Sequence, residues 1–164
     1  MSMRAFAVAA LVVAMLGGCT RSDERSTNAS GDAPNFKLQD LNGKMVQLSD
    51  FKGKPVLLDF WATWCQPCRD SIPGIKKLQK DYADKGLVIL AISIDGGTTE
   101  DIRAFQQQHG MAYTILIGTE DVTDRYRVRT IPMMIVIDKS GKIQKRYLGV
   151  VDDDVIEKTV KQLL

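Results

Sequence analysis

Two cysteines, Cys65 and Cys68, are the residues of this sequence best suited to carry out chemistry. They lie in the stretch FWATWCQPCRDSIP, residues 60–73, with a tryptophan before the first cysteine and a proline between the two. A disulfide between them would close almost no loop, and disulfides that close long loops are the ones that stabilise most. The spacing therefore indicates a redox pair rather than a structural cross-link.

A metal site is the second chemistry that such a pair can serve. Zinc takes about four protein ligands in a structural site. Beyond the pair, the chain offers a single histidine, His109, and a third cysteine, Cys19, both distant in sequence. We therefore predict no metal site. A tethered metallochaperone or peptide-binding module, which would not be an enzyme, remains an alternative.

The element predicted around the pair favours the redox interpretation. Apolar residues recur at helical spacing from Cys65 to about Asp84, so the pair opens a helix. Unpaired N–H groups and a positive dipole at a helix start lower the pKa of a cysteine thiol there. We expect Cys65 to be the exposed attacking thiolate and Cys68, one turn later, to be the buried resolving thiol. Pro67 suits the first turn, where its missing N–H would have no partner.

Alternating strands and helices along the chain predict an α/β domain with a central mixed sheet flanked by helices. Continuous apolar stretches such as PVLLDFW are typical of strands that are buried on both faces. The predicted elements are a hairpin around Asn42-Gly43, strands at 55–61 and 86–94, helices at 65–84 and 98–108, a short strand at 112–117, a helical turn at 121–128, a hairpin around 139–141 and a helix at 152–164.

Asp59 interrupts the first apolar strand, six positions before Cys65. A carboxylate inside such a strand is unfavourable unless it is neutralised or partnered, and burial raises the pKa of a carboxyl group. We therefore expect Asp59 to have a raised pKa. The alternative is a strand-edge position at which Asp59 meets solvent.

The N-terminus predicts export. The first 18 residues contain one early arginine and an apolar run that is short for a membrane span and typical of a signal peptide. This run ends in Leu16-Gly17-Gly18-Cys19, which resembles a bacterial lipobox with Cys19 as the lipidated residue. The alternative is an ordinary secretory signal with a chance cysteine. The polar stretch that follows predicts a flexible tether. The expected division is a signal peptide at 1–18, a lipidated tether at 19–34 and one domain at 35–164.

FWATWCQPC, followed later by TIP at residues 130–132, resembles the thioredoxin superfamily. The lipobox, the N-terminal hairpin and an insertion between Ile94 and Ile131 resemble its exported TlpA/ResA-type branch. The likeness extends roughly from Pro34 to Leu164, and it implies a thioredoxin-like fold.

The resemblance also implies roles for individual residues. Cys65 is the expected nucleophile, Cys68 the resolving cysteine, and Asp59 the group that exchanges a proton with Cys68. Pro132 matches the family's cis-proline, and the residue before it offers backbone hydrogen bonds to an extended substrate peptide. The expected substrate-binding residues are Trp64, Gln66, Pro67, Ile131 and Pro132.

The activity implied by this resemblance is that of a thiol:disulfide oxidoreductase that acts as a reductant on the outer side of the cytoplasmic membrane. Its expected partners are protein thiols and disulfides, a membrane electron donor and a lipid anchor in the bacterial cell envelope. We expect a monomer with no cofactor beyond the Cys65–Cys68 disulfide. The net charge of +2 does not indicate nucleic-acid binding.

A peroxiredoxin-like thiol peroxidase is the alternative enzyme, because the N-terminal hairpin also occurs in peroxiredoxins. Those proteins place a threonine or serine three residues before the peroxidatic cysteine, in a loop led by proline. Ala62 holds that position here, and no proline precedes it in the loop. The pattern therefore favours the oxidoreductase.

Overall fold

The computed structural model describes residues 26–27 and 31–164. The elements in this part of the chain are β1 (Ser26–Thr27), β2 (Lys37–Gln39), β3 (Met45–Gln47), β4 (Val56–Trp61), α1 (Gln66–Tyr82), β5 (Val88–Ser93), α2 (Thr99–His109), β6 (Thr114–Ile117), α3 (Glu120–Arg125), β7 (Met133–Ile137), β8 (Ile143–Leu148) and α4 (Asp153–Lys161). Each predicted hairpin, strand and helix is present, and only the boundaries differ by a few residues.

The main sheet is mixed, as the sequence predicts. Its strand order is β1-β8-β7-β4-β5-β6, and β2 and β3 form a separate two-stranded hairpin. β4 pairs parallel with β5, and β5 with β6, whereas β7 runs antiparallel to both β4 and β8. β4 is therefore central, and its carboxyl end leads directly into the two cysteines.

Two apolar layers cover the faces of this sheet. All six residues of β4 are buried, which explains its continuous apolar sequence. Leu57 and Trp61 face a layer to which α1, α2 and α4 contribute, and this layer includes both cysteines. Leu58 and Phe60 face the other layer, beneath the β2–β3 hairpin and α3.

Helix ends follow the expected chemistry. Thr98 caps α2 by accepting a hydrogen bond from the N–H of Asp101, and Asp101 completes the capping box. Gly110 ends α2 with a φ of 60°, and Gly86 ends the turn after α1 with a φ of 101°. Glycine adopts this left-handed conformation without the steric cost that a side chain would bring.

Part of the predicted tether lies against the domain. β1 pairs antiparallel with β8, and the N–H of Ala33 donates to the carbonyl of Gly141 at 2.9 Å. The N–H of Ile143 donates to the carbonyl of Gly31, also at 2.9 Å. Without this segment β8 would be an edge strand with unpaired backbone groups, and the segment satisfies some of them. Residues 31 and 33 are therefore hydrogen-bonded to the domain, although they precede its predicted start at residue 35.

The predicted signal peptide and the lipobox with Cys19 lie outside the described residues. Across residues 26–27 and 31–164, none of the helices has the length and apolar character that a membrane crossing requires.

Candidate active site

A disulfide joins Cys65 and Cys68 at the start of α1, with their Cα atoms 5.3 Å apart. Cys65 is the N-cap residue of the helix, so its side chain lies where the first N–H groups have no helical partner. Its sulfur accepts a hydrogen bond from the N–H of Cys68 at 3.2 Å. The predicted position of the pair at a helix N-terminus is therefore confirmed.

The expectation that Cys65 is exposed is wrong for the disulfide form. Its exposed fraction is 5%, against 2% for Cys68. Both residues belong to the apolar layer that also contains Trp61 and Ala62. The difference in accessibility that the sequence predicted is small here, because the disulfide holds both side chains against this layer.

Trp64 is the exposed apolar residue beside the disulfide. Its exposed fraction is 66%, whereas that of Trp61, three residues earlier, is 1%. The ring of Trp61 lies 5.3 Å from that of Phe105 on α2, so Trp61 is part of the core. Trp64, by contrast, is free to contact a partner.

A small polar network holds the side chain of Gln66. Its amide nitrogen donates to the carboxylate of Asp70 at 2.8 Å, and its amide oxygen accepts from the guanidinium of Arg69 at 2.6 Å. Sequence reasoning did not single out Arg69 or Asp70. Their helical spacing from Gln66, three and four residues, could have indicated the contact.

The peptide bond between Ile131 and Pro132 is cis, as the resemblance implies. Pro132 is buried, and its carbonyl accepts a hydrogen bond from the N–H of Gly149 at 2.8 Å. This bond places the loop before β7 beside the end of β8, where Leu148 and Val150 are exposed.

Asp59 lies in the interior of the sheet, not at an edge. It is opposite Ala91 on one side and Met134 on the other, and its exposed fraction is 4%. Burial raises the pKa of its carboxyl group to about 7, and no charge or hydrogen bond from the described residues offsets that shift. The strand-edge alternative is therefore wrong. Side-chain alternation along β4 directs Asp59 to the same layer as Cys68.

Asp95 is a site residue that sequence reasoning missed. Both of its carboxylate oxygens accept from the N–H of Thr63 at 3.0 Å, and one also accepts from the Thr63 hydroxyl at 2.5 Å. The hydroxyl of Ser93 donates to the other oxygen at 2.7 Å. The position of Asp95 just after β5 could have indicated this contact. The carboxyl ends of adjacent parallel strands lie together, and Thr63 follows β4, the strand parallel to β5.

His109 has no contact that indicates catalysis. It stacks on Phe105 at the end of α2, with ring centroids 4.1 Å apart. Among residues 26–27 and 31–164, no group of three or more histidine, cysteine, aspartate or glutamate side chains could hold a metal ion.

Comparison with known protein families identifies the chain. Residues 30–146, which include the disulfide, Asp59 and the cis-proline, match the AhpC/TSA family. The chain belongs to the AhpC/TSA family. This match begins at residue 30, in agreement with the segment that hydrogen-bonds to β8.

Relatives of this AhpC/TSA chain are named for thiol chemistry. It is 40% identical to the thioredoxin-like protein YneN of Bacillus subtilis over 119 residues, which are 71% of this chain and 69% of YneN. It is 34% identical to the thiol-disulfide oxidoreductase ResA of the same organism over 134 residues, 81% of this chain and 74% of ResA. The predicted thioredoxin superfamily membership is confirmed.

Solved structures agree with the fold of this AhpC/TSA chain. A crystal structure described as a candidate thiol:disulfide interchange protein DsbE of Chlorobium tepidum superimposes with a TM-score of 0.77, at 32% identity over 84% of this chain and 99% of that chain. The exposed lipoprotein thioredoxin Etrx1 of Streptococcus pneumoniae gives a TM-score of 0.68, at 33% identity over 79% of this chain and all of that chain, 100%. The thioredoxin-like fold is therefore confirmed.

Proposed function

We propose that this thiol:disulfide oxidoreductase reduces disulfides of other proteins outside the cytoplasm. The observation that carries the proposal is the disulfide between Cys65 and Cys68 at the N-terminus of α1. A thiolate at that position is stabilised by the unpaired N–H groups and the dipole of the helix. Names of the relatives and of the solved structures support the same chemistry.

The first step begins from the reduced pair. The Cys65 thiolate attacks one sulfur of a substrate disulfide, and the other substrate sulfur leaves as a thiolate that takes a proton from water. A mixed disulfide now joins Cys65 to the substrate. Hydrogen bonding from the N–H of Cys68 to the Cys65 sulfur favours the thiolate before attack.

The second step releases the substrate. Cys68 transfers its thiol proton to the carboxylate of Asp59, and the resulting thiolate attacks the sulfur of Cys65. The bond between Cys65 and the substrate breaks, the second substrate sulfur leaves as a thiolate, and the Cys65–Cys68 disulfide forms. Two electrons have passed from the pair to the substrate. A pKa of about 7 allows Asp59 to accept and return this proton near neutral pH.

The residues around the disulfide are the ones that would contact a substrate protein. Trp64 offers an exposed apolar surface, with Gln66 and Pro67 beside it at the helix start. Ile131, before the cis-proline, would pair its backbone with an extended peptide. Backbone pairing does not depend on the side chains of the peptide, so this mode suits substrates of varied sequence.

The lipid anchor belongs to this proposal as well. Cys19 follows Leu16-Gly17-Gly18 and would carry the lipid, which would hold the domain at the membrane of the cell envelope. The name of the pneumococcal lipoprotein thioredoxin supports such an arrangement. A membrane protein with a dithiol would then return electrons to the pair. In Cys19→Ser, we expect the protein to lose its lipid by mass spectrometry and to leave the membrane fraction.

The decisive experiment traps the intermediate. Cys68→Ser cannot resolve the mixed disulfide, so it should accumulate partners bound to Cys65 in the native envelope. Cys65→Ser is the matched control and should trap none. The proposal fails if Cys68→Ser traps no partner and the wild-type protein does not reduce a small-molecule disulfide.

A thiol peroxidase is the second candidate, since the β2–β3 hairpin predicted from the sequence is present. The residue three before Cys65 is the fully buried Ala62, which offers peroxide no hydroxyl group. We therefore expect no consumption of hydrogen peroxide with a dithiol donor above the rate of the double variant Cys65→Ser, Cys68→Ser.

A further inference from the structure

The N-terminal segment contacts β8 at both of its ends. At one end, Ser26 and Thr27 of β1 lie opposite Tyr147 and Arg146. At the other end, residues 31 and 33 hydrogen-bond to the backbone at the β7–β8 turn. The chain therefore meets β8 first at the Tyr147 end and reaches the turn a few residues later, antiparallel to β8.

The Tyr147 end of β8 is the end of the sheet that carries the disulfide. Tyr147 lies opposite Met134, and Met134 lies opposite Asp59. Ser26 and Asp59 are therefore in one row across four strands, about 15 Å apart at the usual spacing between strands. β4 ends two residues after Asp59 and leads into Cys65. We call this end of the sheet the reactive end, and the end with the β7–β8 turn the far end.

Only a short length of chain separates β1 from the expected lipidation site. Cys19 is seven positions before Ser26. Seven residues span at most about 25 Å, even when the chain is fully extended. A lipid on Cys19 would therefore hold the reactive end near the bilayer, with the disulfide within about 50 Å of it.

Without β1, the lipid would hold the opposite end of the domain. The sequence predicts a tether that ends at residue 34, and the next residue, Asn35, lines a groove at the far end together with Asp138 and Ser140. A tether that stayed free up to this point would be longer and would join the domain at its far end. The pairing of β1 with β8 thus decides which end of the domain is close to the bilayer.

Exposed apolar residues are concentrated at the reactive end. Four large apolar side chains are exposed among the described residues, and three of them, Trp64, Leu148 and Val150, are at this end. Trp64 precedes the nucleophile, and Leu148 lies opposite Met133 at the start of β7. Exposed apolar residues that lie together mark a surface that contacts a protein or a membrane. The surface that β1 directs toward the bilayer is therefore suited to such a contact.

We propose that β1 orients the lipid-anchored domain with its reactive end toward the bilayer, and that the partner that returns electrons is a membrane protein whose dithiol lies at the outer surface of the bilayer. This inference rests on the proposed function, which supplies the lipid on Cys19 and the reduction of the Cys65–Cys68 disulfide. A dithiol at the bilayer surface shares a thin layer with the reactive end, so its effective concentration is high. A dithiol on a domain that projects far from the bilayer lacks this advantage.

The exchange with this partner is balanced. A thiolate of the partner attacks the sulfur of Cys65, and the sulfur of Cys68 leaves as a thiolate that takes a proton from water. The second thiol of the partner gives its proton to water and attacks the first partner sulfur, which releases Cys65 as a thiolate. The partner's dithiol has become a disulfide, and two electrons have passed to the Cys65–Cys68 pair.

The first test measures orientation by energy transfer in vesicles of phosphatidylethanolamine and phosphatidylglycerol that carry the lipidated protein. In a Cys65→Ser, Cys68→Ser background, Trp64→Cys accepts a fluorescent donor at the reactive end, and the exposed Ser140→Cys accepts it at the far end. The acceptor is a lipid labelled at its headgroup. Six-residue β4 separates the two positions by about 20 Å, so transfer from position 64 should exceed transfer from position 140.

Replacement of β1 tests the cause of this orientation. Ser26→Pro, Thr27→Pro removes both N–H groups of β1 and should release it from β8. Transfer from position 64 should then fall to the level of position 140 or below it. Ser26→Ala, Thr27→Ala is the matched control, because it keeps both N–H groups, and it should give the same transfer as the unchanged β1.

The second test measures reaction at the bilayer surface. The reduced protein, with both cysteines present, is placed on vesicles that contain phosphatidylethanolamine with a pyridyl disulfide on its headgroup, and the released pyridine-2-thione is followed by absorbance. The proline variant should react at least about threefold more slowly than the alanine control, because the effective concentration of the reactive end at the surface falls. Both variants should reduce a soluble pyridyl disulfide at the same rate.

Three outcomes would overturn the inference. They are transfer from position 64 that does not exceed transfer from position 140, a proline variant that keeps the transfer and rate of the alanine control, and a proline variant that is equally slow with the soluble disulfide. Absence of lipid on Cys19 by mass spectrometry would refute both the anchor and this inference, but not the reduction of soluble disulfides. Failure of the proposed oxidoreductase would look different, because the wild type would then reduce neither disulfide while the transfer values still reported the orientation.

Discussion

Both carboxylate oxygens of Asp95 accept a hydrogen bond from the backbone N–H of Thr63, at 3.0 Å each. Thr63 is two residues before Cys65, and Asp95 follows the neighbouring strand, β5. This contact ties the loop that carries the nucleophile to the rigid sheet. The position of this loop therefore depends on a residue that is 32 positions after Thr63 in sequence.

The first prediction concerns the hydrogen bonds between Asp95 and Thr63. Asp95→Ala would leave the N–H of Thr63 and the hydroxyl of Ser93 without their acceptor, and an unsatisfied buried donor costs about 1–3 kcal/mol. We expect that loss in the free energy of unfolding, measured with urea, and slower reduction of a small-molecule disulfide. Asp40→Ala is the control, because the Asp40 carboxylate also accepts backbone hydrogen bonds, from Asn42 and Lys44, but in the β2–β3 turn. Equal loss of activity in both variants would contradict the role of Asp95.

The second prediction concerns the acidity of the nucleophile. In Cys68→Ser, the thiol of Cys65 should ionise with a midpoint below about 8.5, the value of an unperturbed cysteine, because the helix N-terminus stabilises its thiolate. The rate of alkylation by iodoacetamide as a function of pH measures this midpoint. Cys65→Ser reports on Cys68 in the same assay, and its thiol should react more slowly at neutral pH. A midpoint at or above the free-cysteine value would refute the proposed attack by Cys65.

The third prediction concerns stability and pH. Burial raises the pKa of Asp59 from 3.8 to about 7, so the folded protein holds a proton that the unfolded chain releases between these values. The free energy of unfolding should therefore fall as the pH rises from about 4 to about 7, by an amount on the order of 4 kcal/mol, since each pKa unit corresponds to about 1.4 kcal/mol.

Asp59→Asn removes this ionisation. The variant should be more stable than the wild type at pH 8 and similar to it near pH 4, as measured by urea unfolding across that range. The exposed Asp84→Asn is the control and should keep the wild-type slope. An identical pH dependence in wild type and Asp59→Asn would show that the carboxyl of Asp59 is not perturbed.

The fourth prediction separates the two tryptophans. Trp64→Ala should change the free energy of unfolding by less than about 0.5 kcal/mol, because substitutions at exposed positions usually have small effects. It should nevertheless slow the reduction of a protein disulfide more than that of a small-molecule disulfide, since only the protein partner is large enough to use the apolar contact.

Trp61→Ala should instead destabilise the fold by about 3–5 kcal/mol, the usual cost of truncating a buried aromatic residue. Urea unfolding and reduction assays on both variants provide the comparison. Unchanged reduction of the protein substrate by Trp64→Ala would exclude a substrate contact at this position.

Local patterns in the sequence were sufficient for most of the elements and for the reactive pair. Apolar periodicity predicted the strands and helices, Asn42-Gly43 predicted the first hairpin, and the spacing of the cysteines predicted a redox pair at a helix start. These features depend on interactions between residues that are close in the chain. The position of Asp59 within an apolar strand likewise predicted its raised pKa, because β4 is buried on both faces.

Tertiary structure alone decided the contacts between distant residues. The hydrogen bonds between Asp95 and Thr63 follow from the parallel pairing and register of β4 and β5. The attachment of residues 31–33 to the β7–β8 turn and the burial of Cys65 likewise depend on neighbours far along the chain. A local pattern reports which face of a strand is apolar, but the free energy of packing the whole sheet selects the partner strand and the register.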